Sequence, residues 1–420
     1  MDTRNRQIFA GAIGNTLEFY DFAVFAYLAP VMGRLFFPSS DPLASITQAY
    51  GVFAAGYLMR PLGGLVFGHF GDRYGRKRIL RVSIVLMALP STMVGFLPTY
   101  DQVGVTAGLL LLGLRLLQGL SVGGEAIGSY SFLGEMADSR RRGFLASFGE
   151  SSAAVGYLLG SVVVTVLHGV MDPQDLDSWG WRPAFFLAGA LGVFGLWMRR
   201  GLQESAAFQR IQASGEITQT PVVSVITLMW TRVLCLVGVI CLPCVRSLIF
   251  IWLPTYLSHM VRPPIQHALL INTLCMCVHV AFVPIGGWLS DRVGRKGIFI
   301  VSGVGTLIVA YPLFLWMDQG VMLAAIVSQL VFAMLLGVAW GALPALMVET
   351  FPTRMRMSGV GLAYNGAMAV VYGTAPWVVT WLIRTSGGNL AAPAYYVMLL
   401  ALVSLIAVLR MRVRSGEALN

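Results

Sequence analysis

Charge is what this chain has little of. Asp, Glu, Lys and Arg together make up 11% of its 420 residues, against 57% hydrophobic types, which is too little polarity to cover a soluble globule of that size. A soluble enzyme and a soluble nucleic-acid binder are excluded, and the net charge of +10 needs another explanation. No GxxxxGK[ST] phosphate loop occurs, so the chain does not hydrolyse nucleotide by itself. HExxH, GxSxG and clustered histidine ligands are absent too, which removes the commonest metal and nucleophile constellations of membrane enzymes; no metal or cofactor is expected. Cysteine is sparse: Cys235, Cys241, Cys244, Cys275 and Cys277 all fall within two apolar runs, where small packing residues are expected rather than disulfides, and the CLPC at 241 to 244 is read the same way. Of the five histidines only His279 lies deep in a run, and a packing role is expected for it.

Long apolar runs take the place of all this. They fall at 8–37, 46–70, 79–97, 102–134, 143–168 and 181–200, then at 223–258, 266–289, 298–317, 321–348, 358–385 and 391–411. Crossing a hydrocarbon core of about 30 Å takes about 20 helical residues. Transmembrane strands would alternate apolar and polar over about ten residues, and these runs do not. The expected fold is therefore an all-α integral membrane protein with twelve transmembrane helices in two six-helix bundles, at 1–200 and 223–420, joined by a polar cytoplasmic linker at 201–222. A channel is disfavoured, because the halves do not repeat around a filter.

Positive charge marks one side. Placing the N-terminus in the cytoplasm puts twenty-one Lys and Arg in inner loops and termini, among them Arg73, Arg76, Lys77, Arg140, Arg142, Arg292, Arg295, Arg354 and Arg356. Only Arg34, Arg182, Arg262 and Arg384 remain outside, and this bias predicts that both termini are cytoplasmic. The first run carries Glu18 and Asp21 and is too long for a cleavable signal peptide. Few residues follow Arg414, so no appended regulatory domain is expected.

The chain is duplicated. GHFGDRYGRKR at 68–78 returns as GWLSDRVGRKG at 287–297, and Glu135 with Arg140 and Arg142 returns as Glu349 with Arg354 and Arg356. Two membrane halves facing each other are how secondary transporters build a central site with a gate on either side. Asp72, Arg73, Arg76, Asp291, Arg295, Glu135 and Glu349 are expected to form the cytoplasmic gate, with Asp72 capping a helix or bonding a loop arginine.

Charges inside a span cost several kcal/mol unless paired or hydrated, so each is a functional candidate. Asn15, Glu18, Asp21 and Phe22 share one face of the first helix, and Glu18 and Asp21 lie roughly 15 to 20 Å deep. Arg115 and Gln118 reach a similar depth from the fourth. Two carboxylates beside one arginine suit a group that loads and releases a proton; a static ion pair is the plainer alternative. For Arg60, beside Pro61, a structural anchor and a substrate contact weigh equally. Arg246 has no acidic residue within a turn of its own helix, so an anionic substrate group is its expected partner. Glu150 is expected nearer the cytoplasmic face, in a structural role.

With the paired GDRxGRK loops, NTLEFYD at 15–21, RLLQGLSVGGE at 115–125 and AYNGAMAVVYGTAP at 363–376, the chain resembles the major facilitator superfamily over essentially its whole length. More narrowly it resembles the metabolite:proton symporters, which carry citrate, 2-oxoglutarate, shikimate or proline and betaine. The resemblance implies Asp21 with Arg115 as the proton-coupling pair, Asp72 with Arg76 as the cytoplasmic latch, and Tyr364 and Asn365 as part of the second half's cavity. Arg246 departs from the pattern, since a neutral or small residue is expected there. The long coiled-coil tail of osmosensing members is missing, so an osmoregulatory role is not expected.

The resulting expectation is a proton-coupled importer, acting as a monomer in the inner membrane, for a small carboxylate-bearing metabolite: an organic acid, amino acid or betaine. Its partners are that substrate, the proton and the bilayer, with no nucleic acid. Glu18 is an alternative proton carrier to Asp21, and Arg246, Arg115, Asn15, Gln118, Tyr256, Tyr364, Asn365 and Arg60 are the candidate substrate contacts. An antiporter or exporter would use the same charges, so direction stays open at this point.

Overall fold

The computed structural model describes residues 3–74, 76–198 and 221–411, without the side chains of 3–13, 68, 69, 71–80, 125, 132, 221 and 354. Among the described residues there is no strand. A chain in hydrocarbon must satisfy its backbone within each span, and the helix does this locally.

The first six spans are α1 (Thr3–Tyr27, continued by Ala29–Phe36), α2 (Pro42–Leu58, continued by Arg60–Tyr74), α3 (Arg76–Gly95), α4 (Val105–Met136), α5 (Arg142–Val170) and α6 (Arg182–Met198). The last six are α7 (Trp230–Met260), α8 (Ala268–Val293), α9 (Arg295–Asp318), α10 (Met322–Thr350), α11 (Arg356–Thr385) and α12 (Ala392–Arg410). This is the twelve-helix arrangement the apolar runs predict. Among the described residues eight helices are individually long and apolar enough to cross a membrane, or ten if each of two bent pairs counts as one span. The remainder, α2 and α3, are interrupted at Met59 or begin in the arginine-rich loop. The expected linker at 201–222 lies almost wholly outside the described residues, and Pro221–Leu228 forms a short helix ahead of α7.

Proline sets the bends. α1 turns by 63° at Leu28, where Pro30 offers no N–H to the preceding turn. α7 contains Pro243, then π-helical turns at Leu248–Trp252 and Tyr256–Met260, and α11 has another at Met368–Tyr372. Irregular turns free carbonyls: Trp340 Nε1 donates to Pro243 O at 2.8 Å and Gln329 Nε2 to Ile249 O at 3.1 Å, so α10 fastens α7 on both sides of Arg246.

Within the first six helices α1 lies against α5 and α6, and within the last six α8 lies against α10. Between the two sets, α5 packs on α8 and α10 while α2 packs on α11. Gly143 of α5 and Gly287 of α8 meet back to back across this seam. A Cβ on Gly143 would come within 2.4 Å of Gly287 O, and one on Gly287 within 2.5 Å of Gly143 O.

Candidate functional site

Two polar layers occupy the middle of the molecule, and α1 contributes to both. The first lies wholly among α1 to α6. Arg115 Nη1 donates to Asp21 Oδ2 at 2.9 Å, and Gln118 Nε2, one turn further along α4, donates to the same oxygen at 3.0 Å and to Ser91 Oγ at 2.8 Å. Both members of the ion pair are buried. The guanidinium carbon lies 4.1 Å from the Phe25 ring centroid, 5.7 Å from Phe22 and 5.9 Å from Phe185, faces that stabilise a desolvated cation. Among the described residues Asp21 Oδ1 and Arg115 Nε and Nη2 meet no hydrogen-bond partner.

The second layer spans the seam between the halves. Glu18, one turn before Asp21 on α1, accepts from Arg60 Nη2 at 3.0 Å. Arg60 Nε reaches Asn365 Oδ1 of α11 at 3.5 Å, and Asn365 Nδ2 donates to Gly123 O of α4 at 2.7 Å. Glu150 of α5 pairs with Arg246 Nη1 of α7 and accepts from Tyr130 OH at 2.6 Å, with Tyr364 OH 3.4 Å beyond. The Arg246 guanidinium carbon lies over Trp340, 3.8 Å from its ring centroid, with Tyr157 at 4.9 Å and Tyr372 at 5.8 Å. The hydroxyls of Tyr57, Tyr157 and Tyr372 form a chain with steps of 3.1 and 2.7 Å.

Phe22 joins the layers, its ring 4.7 Å from that of Tyr57, whose other neighbours are Arg60 at 5.1 Å and Tyr372 at 5.4 Å.

Several expectations need correction. Glu18 and Asp21 do not share Arg115: their three-residue spacing turns them enough around α1 for each to take its own arginine. Arg246 is not left for a substrate anion alone, because Glu150, 96 residues earlier, closes on it from the other half. Glu150 accordingly sits in the centre, fully buried, not near the cytoplasmic face. Tyr256 lies away from both layers; its hydroxyl donates to Leu390 O at 3.0 Å, and its ring packs on Trp252. Asn15 donates from Nδ2 to Gly149 O at 3.0 Å, holding α1 to α5, while its Oδ1 has no hydrogen-bond partner among the described residues. Sequence reasoning missed Tyr57, Tyr130, Tyr157, Trp340 and Tyr372. Tyr57 stands three residues before Arg60 and Tyr372 eight after Tyr364, spacings that put each on its neighbour's face of the helix. His279 is buried with Nδ1 3.2 Å from Ala333 O, and the five cysteines are free thiols.

A third cluster closes the arginine-rich end. Asp291 accepts from the backbone N–H groups of Gly143 and Phe144 at 2.8 and 2.9 Å, capping α5 from the opposite half, and from Arg295 Nη1 at 2.7 Å. Arg142 donates to Glu349 and Arg356 to Glu135, both at 2.9 Å, two cross-seam pairs related by the internal repeat. Arg295 also grips Glu349 through Nε and Nη2. The side chains of Asp72, Arg73 and Arg76 lie outside the described residues. At the opposite end the seam is crossed by an exposed Arg384–Asp41 pair at 2.9 Å and by neutral bonds such as Tyr50 OH to Thr255 Oγ1 at 3.0 Å and Ser161 Oγ to Thr273 Oγ1 at 2.7 Å.

The family model for "Sugar (and other) transporter" matches residues 8–227 and again 209–418. This chain belongs to that family, within the major facilitator superfamily. Among its relatives, the proline/betaine transporter of Escherichia coli strain K12 is 34% identical, with 99% of this chain and 85% of that protein covered. The glycine betaine/proline/ectoine/pipecolic acid transporter OusA of Dickeya dadantii is also 34% identical, with 99% and 84% covered. The fold is shared with the proton:xylose symporter XylE bound to 6-bromo-6-deoxy-D-glucose, at TM-score 0.80 and 18% identity over 99% of this chain and 97% of that one. The chain is a multi-pass membrane transporter and not an enzyme.

Proposed function

We propose that this transporter is a proton-coupled symporter that imports a small carboxylate-bearing metabolite across the inner membrane by alternating access. The carboxylate is read by Arg246 and Arg60, and the proton is carried by Asp21. The observation that carries the reading is the Asp21–Arg115 pair: buried, joined through a single carboxylate oxygen, and leaving Oδ1 of Asp21 without a donor among the described residues. A proton can take that oxygen without displacing a bond, and once neutral the carboxyl loosens its hold on Arg115. Asp21, Glu18 and Phe22 share α1, so movement there reaches the seam through Glu18–Arg60 and through Phe22 against Tyr57. The relatives named for proline and betaine favour a zwitterionic cargo over a plain organic acid. The excess of arginine at one end supports putting that end, and both termini, in the cytoplasm. Residues 1–200 and 223–420 act as the two rocking bundles, with 201–222 as the linker between them, and the chain works as a monomer.

The test is uptake of labelled proline, glycine betaine and a panel of organic acids into proteoliposomes under an imposed inward pH gradient. The reading expects saturable accumulation of at least one carboxylate-bearing compound, abolished by a protonophore. Accumulation that ignores the gradient, or a preferred cargo with no carboxylate, contradicts it.

A further inference from the structure

The proton-coupling reading gives Glu150 nothing to do, yet Glu150 is the acid that meets the cation-stacking rings at the seam. In the two central layers the buried acids Glu18, Asp21 and Glu150 face the buried arginines Arg60, Arg115 and Arg246, so these layers are balanced before cargo enters. A cargo that carries only negative charge sets a second anion beside Glu150, away from the proton that Asp21 takes up in the other layer, and a charge left uncompensated there is costly in a low dielectric. A zwitterion carries its own compensation. Arg246 uses Nη1 for Glu150, while Nε and Nη2 meet no hydrogen-bond partner among the described residues. Those two atoms form one edge of the guanidinium, the edge by which Arg34 grips both oxygens of Asp177, at 3.0 and 2.6 Å. The edge is thus a carboxylate fork that no carboxylate among the described residues occupies. Glu150, at Nη1, is held by Tyr130 at 2.6 Å, and Tyr157, Tyr372 and Trp340, the rings that stack on the Arg246 guanidinium, line the same place with surfaces that attract cations.

Resting on the symporter reading above, we propose that Glu150 is the specificity-determining residue, holding the cationic end of the cargo while Arg246 holds its carboxylate through Nε and Nη2. Because Glu150 belongs to α5 and Arg246 to α7, a cargo bound this way ties the two halves together through its own two charges. Glu150 then rejects anions that lack a cationic centre, since nothing compensates their charge at the acid they must approach.

The probe is a matched pair: glycine betaine and its carbon isostere, the tert-butylacetate anion, which has the same shape and carboxylate without the positive charge. The ratio of their apparent inhibition constants is measured on proteoliposome uptake for the wild type and three variants, each checked for monodispersity and thermal unfolding in detergent. In the wild type betaine should compete at least about tenfold better, the worth of one charge-assisted contact. Glu150→Gln should bring the ratio close to one from both sides, weakening betaine and strengthening tert-butylacetate, because the acid that attracts one and repels the other is gone. Glu150→Asp should keep the preference, and keeps the question answerable if the glutamine variant folds poorly. The double variant Glu150→Gln with Arg246→Gln should not recover betaine binding. Recovery in the double variant would make the pair a structural clasp and overturn the proposal, as would an unchanged ratio in Glu150→Gln. A wild type that prefers anions to every zwitterion overturns it while leaving proton-coupled carboxylate import standing. Failure of that import reading would show separately, as uptake indifferent to the pH gradient.

Discussion

Arg246 holds three kinds of contact at once: an ion pair to Glu150, a stack on Trp340 at 3.8 Å, and a polar edge without a partner among the described residues. A lysine keeps the first and loses the planar fork on which the third depends. Arg246→Lys is therefore expected to raise the apparent substrate constant by about tenfold or more while lowering maximal rate far less, read from initial uptake rates. Equal loss of both would mark a packing role. The residue types at this site were readable in the sequence, because any charge within an apolar run stands out. Their pairings were not. Asp21 finds Arg115 across 94 residues, Arg60 finds Glu18 across 42 and Arg246 finds Glu150 across 96. Partner choice is set by the direction each side chain leaves its helix, which a depth count cannot supply. The aromatic walls escaped notice for the opposite reason: Tyr and Trp are ordinary in membrane helices, and only the arginine lying on them gives them meaning.

Helix identity and extent were legible, because each span must satisfy its own backbone and so is written as one unbroken apolar run. What the runs could not disclose was interior irregularity. The π-turns of α7 and α11 and the bend of α1 shape the site, yet only the prolines hinted at them. The seam between α5 and α8 depends on Gly143 and Gly287 in backbone contact, where neither can gain a side chain without separating the helices. Gly287→Val should hold the arginine-rich end open and stall the cycle. With an engineered cysteine below the seam, it should label faster from the cytoplasmic side while transport falls by about tenfold or more. Unchanged labelling would show that α5 and α8 do not part there during transport.

The molecule is held more firmly at one end than at the other. Among the described residues the seam is held at the arginine-rich end by two buried ion pairs and a helix cap, and at the far end by one exposed ion pair and neutral hydrogen bonds. Removing one partner of a buried pair costs about 3–5 kcal/mol, while an exposed pair contributes about 0–1 kcal/mol. Opening away from the arginines is accordingly the easier motion. Glu349→Gln, which strips Arg142 and Arg295 of a shared acid, should shift the resting population toward the cytoplasm-open form, measured by double electron–electron resonance between spin labels on the two halves. Asp41→Asn should shift it little. A larger shift from Asp41→Asn would reverse the ranking of the two ends.

The central claim is that Asp21 carries the proton that drives accumulation, and it is tested most directly by separating exchange from accumulation in Asp21→Asn. An amide imitates the protonated acid permanently and cannot release a proton. The account predicts that counterflow of labelled against unlabelled substrate persists in proteoliposomes, at a reduced rate, while accumulation under an inward pH gradient is lost. Accumulation that still follows the gradient in Asp21→Asn would contradict it and move the proton to Glu18 or Glu150.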